Sequence, residues 1–223
     1  LAELEVAERK LEPAEATAQA ALAEADRLGG AWDAQRSALW QSIAVSRDFR
    51  HQFGPAMEAA ERAVQHAEAA WAGHARHPQV VNARHLRGRL LMFGPRPAEA
   101  VAPLASVVED AAALWGPESM SVAQYTQGLA YAQVRAGQLE AAGESATRAL
   151  ALMRKHHPPE SLHVAAALDV LAFVHLQARR PAQALPLYEQ LLAEYFQAPA
   201  LREQALVAGM RRALMQAWLG RFD

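Results

Sequence analysis

The sequence predicts an all-α chain built from repeated pairs of antiparallel helices. Alanine supplies 53 of the 223 residues, whereas there are one isoleucine, three threonines and fourteen valines. Alanine is the best helix former and β-branched residues are the usual strand fillers. The second observation is a 42-residue period with two helical patterns per unit, which is typical of an α-solenoid. We therefore predict a right-handed α-solenoid of helix pairs without strands.

The period is clearest in residues 116–157. The opening Gly116-Pro117-Glu118-Ser119 returns 42 residues later as Pro158-Pro159-Glu160-Ser161, and Ala142 returns as Ala184. One helical hairpin cannot bury its own apolar face, so neighbouring hairpins stack and form a continuous core.

Prolines and glycines mark the predicted helix ends, because proline suits a first helical turn and glycine suits the residue after a last one. These marks predict a single solenoid of helix pairs at 32–72, 79–115, 117–155 and 159–196, with partial pairs at 1–29 and 198–223. We expect a loop at Phe53-Gly54-Pro55. Pro186 is expected at about the fourth or fifth residue of its helix, where its missing N–H matters little.

Small residues recur where paired helices are expected to approach each other closely. On the second helices these residues are Ala16, Ala60, Ala100, Ala142 and Ala184, and on the first helices they are Gly88, Ala130, Ala172 and Ala213.

These residues carry a resemblance to the tetratricopeptide-repeat family, and more closely to its 42-residue, kinesin-light-chain-like variety common in bacterial multidomain proteins. The stretch Ala184-Leu185-Pro186-Leu187-Tyr188 resembles the family's Ala-x-Pro-Leu-Tyr opening of the second helix. Leu129-Ala130, Gly137, Leu139 and Ala142 match the family's pattern in the preceding unit. The resemblance implies a protein-interaction array in which the first helix of each pair lines the concave surface.

That implied concave surface supplies the candidate binding residues. Polar donors and aromatic rings along one rigid groove suit an extended peptide or a helix. The expected groove residues are Asn82, His85, Arg89, Gln124, Gln127, Tyr131, Asp169 and Phe173.

A basic stretch accompanies this groove. Residues 84–96 contain Arg84, Arg87, Arg89 and Arg96 but no acid. Two interpretations remain open: a solvated face, or a docking patch for an acidic segment of a partner.

Composition and motifs argue against several other functions. A net charge of −2 and a pI near 6.5 do not favour nucleic-acid binding through this domain. The chain has no cysteine and no apolar run of about 18 residues that could span a membrane. His74-x-x-His77 and His156-His157 lack a metal-site spacing, and Ser145 lacks a nucleophile elbow. We expect a cytoplasmic, non-enzymatic protein with no metal or cofactor.

The leading hypothesis, which the resemblance implies, is the repeat region of a larger bacterial signalling or regulatory protein. We expect a fragment of a longer protein because the sequence starts at Leu1 without a signal-peptide pattern. The alternative is a ligand- or peptide-sensing domain of a transcriptional regulator or kinase.

The C-terminal segment carries a separate expectation. Residues 200–219 have the pattern of a first helix whose second helix is missing. An apolar strip of Leu206, Met210, Ala213 and Ala217 should then be covered, either by a further helix of the native protein or by a second copy in a homodimer.

Overall fold

The computed structural model describes residues 11–159, 161–195 and 202–220. The chain forms two compact units, Leu1–Leu114 and Trp115–Asp223. Within the described ranges every regular element is a helix and no strand is present. The all-α prediction of paired helices is therefore confirmed, whereas their arrangement as a single solenoid stays a prediction.

The first unit contains five helices and one 3-10 turn, Pro97–Ala100, among its described residues. The helices, in chain order, are α1 Leu11–Leu28, α2 Asp33–Phe49, α3 Phe53–Ala70, α4 Pro78–Phe93 and α5 Val101–Trp115.

The second unit begins at the last residue of α5. Each of its helices packs against the next, from α6 to α10. They are α6 Met120–Arg135, α7 Leu139–His156, α8 Leu162–Gln177, α9 Pro181–Tyr195 and α10 Arg202–Trp218.

The repeated Pro-Glu-Ser opening has a structural explanation. Ser119 and Ser161 are the N-caps of α6 and α8, and their side-chain oxygens accept hydrogen bonds from the backbone N–H of Val122 and Val164 at 3.4 and 3.3 Å. An N-cap oxygen satisfies one of the four N–H groups that have no partner within the helix. The motif therefore fixes where each first helix begins.

In the first unit, alanines allow close helix packing. Ala59 and Ala60 of α3 are fully buried in one cluster with Ile43 of α2 and Leu90 of α4. Gly88 of α4 is required by packing, because a Cβ there would lie 2.7 Å from Cδ2 of Leu104 on α5.

In the second unit, the predicted small positions are confirmed at Ala142 and Ala184, both of which are fully buried. Ala142 packs in a cluster with Ala130 of its own pair and with Val170 and Val174 of α8. A single alanine on α7 therefore contacts both its own first helix and the next one.

Two of the predicted small positions are wrong. Ala16 is exposed, and α1 instead buries Ala14, Ala18 and Leu22. Ala213 on α10 is also exposed. The 44-residue step that aligned Ala16 with Ala60 placed α1 about half a turn out of register, since residues two apart point to different sides of a helix.

Two expectations about helix starts also need correction. Phe53-Gly54-Pro55 is the first turn of α3, not a loop, because the missing N–H of Pro55 would be unpaired there anyway. Pro186 is the sixth residue of α9, inside the helix, where it cannot donate to the carbonyl of Ala182.

The exposed apolar strip on α10 is present as predicted. Leu206 and Met210 are each 66% exposed, and Ala213 and Ala217 are exposed beside them. Ala208 and Met215, on the opposite side of α10, are buried. A further helix or a second copy over this strip stays a prediction, and the predicted helix end in residues 1–10 lies outside the described residues.

Candidate functional site

The first helices of the second unit place two predicted groove residues in contact. Tyr131 of α6 and Phe173 of α8 are 42 residues apart, and their rings stack with centroids 5.7 Å apart and planes inclined by 17°. Both side chains are half-buried, so each ring keeps an accessible part. The two helices therefore share a partly exposed aromatic platform, which we call the first-helix face.

Arg211 of α10 joins this face, although the sequence did not indicate it as a site residue. Its Nη1 donates to Oδ1 of Asp169 at 2.9 Å, and its guanidinium lies 5.1 Å from the ring centroid of Phe173. A guanidinium over an aromatic face is attracted by the ring quadrupole. Arg211 lies 42 residues after Asp169, so extending the period by one more unit would have found it.

Burial affects the titration of this cluster. Desolvation raises the pKa of Asp169 even though Arg211 lowers it through charge and a hydrogen bond. Burial also raises the pKa of Tyr188, a fully buried residue of α9 whose ring centroid lies 6.0 Å from the Arg211 guanidinium. The pair of Asp169 and Arg211 therefore lies at the boundary between the core and the surface.

The remaining predicted groove residues of the second unit lie on α6, the helix that carries Tyr131. Gln124 is exposed and lies two turns before Tyr131 on α6, and Gln127 is half-buried and lies one turn before it. Their amides can donate and accept hydrogen bonds next to the aromatic platform.

In the first unit, α4 brings Asn82, His85 and Arg89 together at helical spacing. Asn82 is exposed. Burial, and secondarily the charge of Arg89, lowers the pKa of His85 to about 4, so this imidazole is neutral at physiological pH. Arg89 pairs with Asp48 of α2 at 3.3 Å.

The basic stretch is not an uncompensated positive patch. Arg84 forms ion pairs with Glu68 of α3 at 2.8 Å and with Asp110 of α5 at 3.6 Å, and Arg96 pairs with Glu99 at 2.9 Å. These carboxylates come from outside residues 84–96, so the absence of acids in that stretch was a poor guide to its environment.

Arg87 is the exception within the stretch. Its Nε is buried and forms no hydrogen bond to the described residues. Docking of an acidic partner segment at Arg84, Arg87 and Arg96 stays a prediction.

The histidines singled out from the sequence have structural partners. His77 caps α4 by accepting from the N–H of Gln79 at 3.3 Å and stacks on Trp71 with centroids 3.5 Å apart. Nε2 of His156 lies 2.6 Å from the carbonyl oxygen of Glu118. Among the described residues, no three histidine or acidic side chains are placed to hold a metal ion.

None of the helices in the described ranges is long and apolar enough to cross a bilayer. Comparison with known proteins gives no matching family model and no matching curated protein. Solved structures do match, at low sequence identity.

BtubC from P. vanneervenii is 19% identical, with a TM-score of 0.76 over 95% of this chain and 85% of that one. A kinesin light chain with nearly identical TPR-like repeats from Podosopora anserina is 23% identical, with a TM-score of 0.69 over 84% of this chain and 89% of that one. A Rap protein complexed with Competence and Sporulation Factor is 14% identical, with a TM-score of 0.73 over 100% of this chain and 58% of that one.

At these identities the likenesses concern the fold, and they agree with the 42-residue period and the paired helices. The chain therefore has the fold of tetratricopeptide-like helical-repeat proteins.

Proposed function

We propose that this chain is a non-enzymatic protein-interaction module that binds a peptide or helix on its first-helix face. The observation that carries the proposal is the partly exposed stack of Tyr131 on Phe173, with Arg211 beside it. Aromatic and arginine side chains are enriched among the residues that dominate binding energy in protein interfaces. Such rings are held rigidly by α6 and α8, which lowers the entropy lost on binding.

The charges near the platform favour a partner that makes more than ionic contacts. Arg211 already pairs with Asp169 at 2.9 Å. A partner must therefore add apolar and hydrogen-bonding contacts to those that these side chains already make. Gln124 and Gln127 supply amide groups for a peptide backbone.

A second candidate function is ligand sensing within a larger regulator or kinase. The observation that favours it is the similar fold of a Rap protein whose structure holds Competence and Sporulation Factor. Under this alternative the same first-helix face binds the signal, and binding changes the relative placement of successive helix pairs.

The test is selection from a displayed library of random 15-residue peptides on the intact chain, followed by affinity measurements on variants. We expect Tyr131→Ala combined with Phe173→Ala to weaken the selected peptides at least about tenfold, equivalent to about 1.4 kcal/mol. Arg154→Ala, an exposed change on α7, is the matched control and should leave the affinity unchanged.

Peptides that bind the double variant as tightly as the unchanged chain would show that the first-helix face is not the binding surface. A compaction detected by small-angle scattering only when the peptide is bound would favour the sensing alternative.

A further inference from the structure

A second surface lies beside α7 in the second unit. An open groove of about 670 Å³ runs between α7 and α8 and ends at the start of α9. Its apolar lining includes Leu139 and Gly143 of α7 with Leu171 and Val174 of α8. None of the first-helix residues Tyr131, Phe173 or Arg211 lines it, so this groove is a separate feature of the molecule.

The glycine in the groove is not explained by packing. Glycine inside a helix lowers its stability relative to alanine, so an interior glycine needs a reason. A Cβ at Gly143 would lie 3.9 Å from Cγ1 of Val174, an ordinary van der Waals distance. A Cβ at Gly88 would lie only 2.7 Å from Leu104. A Cβ at position 88 would therefore clash with Leu104, whereas position 143 has room for a Cβ.

The next repeat shows what a side chain does at this position. Leu185 of α9 lies 42 residues after Gly143 and is 4% exposed. One turn further along, Tyr188 of α9 is fully buried where α7 has Ala146. The space that Leu185 fills in α9 is thus left open at Gly143 of α7, whereas Ala146 is itself buried and does not line the groove.

The rim of the groove is charged but balanced. Arg180 pairs with Glu140 at 3.3 Å across its end, and Glu144 and Arg148 follow along α7. Burial, and secondarily the charge of Arg180, lowers the pKa of His175 in the wall, so His175 adds no positive charge to this rim at neutral pH. The rim thus carries two acids and two bases beside an apolar floor. Such a surface complements a polypeptide without net charge better than it complements a polyanion.

The floor has the length of a short helix. From Leu139 through Gly143 and Thr147 to Ala151 it follows one side of α7 over twelve residue steps, about 18 Å. An amphipathic helix that lies in a groove uses anchors at i, i+4 and i+7, which span about 10.5 Å and therefore fit within this length.

We propose that this groove receives an amphipathic helix of a partner protein, which has balanced charges and inserts a branched apolar side chain above Gly143. The inserted side chain occupies, from outside, the place that Leu185 fills in the next repeat. This docking surface is additional to the first-helix face and does not depend on it.

The test uses a synthetic 16-residue helical peptide of alanine, glutamate and lysine with zero net charge and leucines at i, i+4 and i+7. Its binding is followed by methyl NMR of the whole chain labelled at leucine and valine. We expect shifts at Leu139, Leu171 and Val174 at submillimolar peptide, without shifts at Val207 or Leu214 on α10. A peptide with the central leucine replaced by alanine should bind at least fivefold more weakly.

Gly143→Leu should fill the groove and abolish these shifts, and Gly143→Ala should weaken binding less. Ala102→Leu, an exposed change on α5, is the control and should have no effect. The proposal is overturned by undiminished binding to Gly143→Leu, by shifts confined to other surfaces, or by no shifts at millimolar peptide. Groove methyl shifts that depend on protein concentration alone would identify a second copy as the occupant and would also overturn it.

Discussion

Two consecutive second helices, α7 and α9, share one register but differ greatly in side-chain volume. Both come after a left-handed turn, and both bury an alanine completely at the same repeat position, Ala142 and Ala184. At three further matched positions α7 carries small residues where α9 carries large ones. The pairs are Gly143 and Leu185, Ala146 and Tyr188, and Ala149 and Leu191.

The difference separates what the fold needs from what is free to vary. The small residue at Ala142 and Ala184 allows the paired helices to approach closely, so a larger residue there is expected to destabilise the repeat. At the other three positions, the space beside the helix can be filled either by the helix's own side chain or by residues from elsewhere. In α7 a groove remains at Gly143, whereas Ala146 and Ala149 are buried against neighbouring residues and do not line it.

The largest expected effect comes from giving α9 the residue that α7 has. Tyr188 is fully buried, so Tyr188→Ala should lower the free energy of unfolding by about 3–5 kcal/mol, through lost burial and the cavity left behind. Ala146→Gly on α7 should lower it by only about 1 kcal/mol. Urea titrations of both variants check the contrast, and equal losses would show that the two helices are packed alike.

The next effect tests the shared position. Ala142→Leu should overpack the cluster with Ala130 and Val174 and lower the free energy of unfolding by about 1–3 kcal/mol. Ala184→Leu should behave the same way, and Ala102→Leu on the surface of α5 is the control. A urea midpoint equal to that of the unchanged chain would remove Ala142 from the positions that the fold requires.

The turns before the two helices differ as well. Gly137 before α7 has a φ of 77°, and Arg179 before α9 has a φ of 54°. A left-handed conformation is unfavourable for residues with a Cβ, so Gly137→Ala should destabilise the fold by about 1–2 kcal/mol. Arg179→Gly should be neutral or stabilising by less than about 1 kcal/mol. Calorimetry of both variants measures the difference, and a stabilising Gly137→Ala would contradict this account of the turn.

The smallest effect concerns pH. His175 stands 42 residues after Gln133, and burial, then Arg180, lowers the pKa of His175. His175 therefore binds a proton less readily in the folded state than in the unfolded chain, where histidine titrates near pH 6.5. The free energy of unfolding consequently falls as pH decreases below about 6.5. His175→Gln, which copies the preceding repeat, should flatten this part of the profile. An unchanged slope in urea titrations at pH 5 and 7 would show that His175 is not responsible.

Periodicity accounts for the features that could be predicted from the sequence. The 42-residue step identified Ala142 and Ala184 as buried, and the pattern of residues 200–219 indicated the apolar strip on α10. These predictions succeed because a repeat of fixed length places matched residues on the same side of successive helices.

The sequence did not reveal what depends on other helices. The partners of Arg84 come from α3 and α5, so a stretch without acids was not evidence of a free positive surface. The groove at Gly143 was missed because matching small residues by position ignores the volume that their neighbours leave unfilled. Arg211 was missed because the period was not extended from Asp169 into α10.

The contrast between α7 and α9 is tested most directly by exchanging the residues at one matched position in both directions. The readout is the urea midpoint of each variant. Gly143→Leu should raise the midpoint, because it removes an interior glycine and adds apolar burial where room exists. Leu185→Gly should lower the free energy of unfolding by about 3 kcal/mol or more. A lowered midpoint for Gly143→Leu, comparable to that of Ala142→Leu, would show that no space exists beside α7 and would contradict the account.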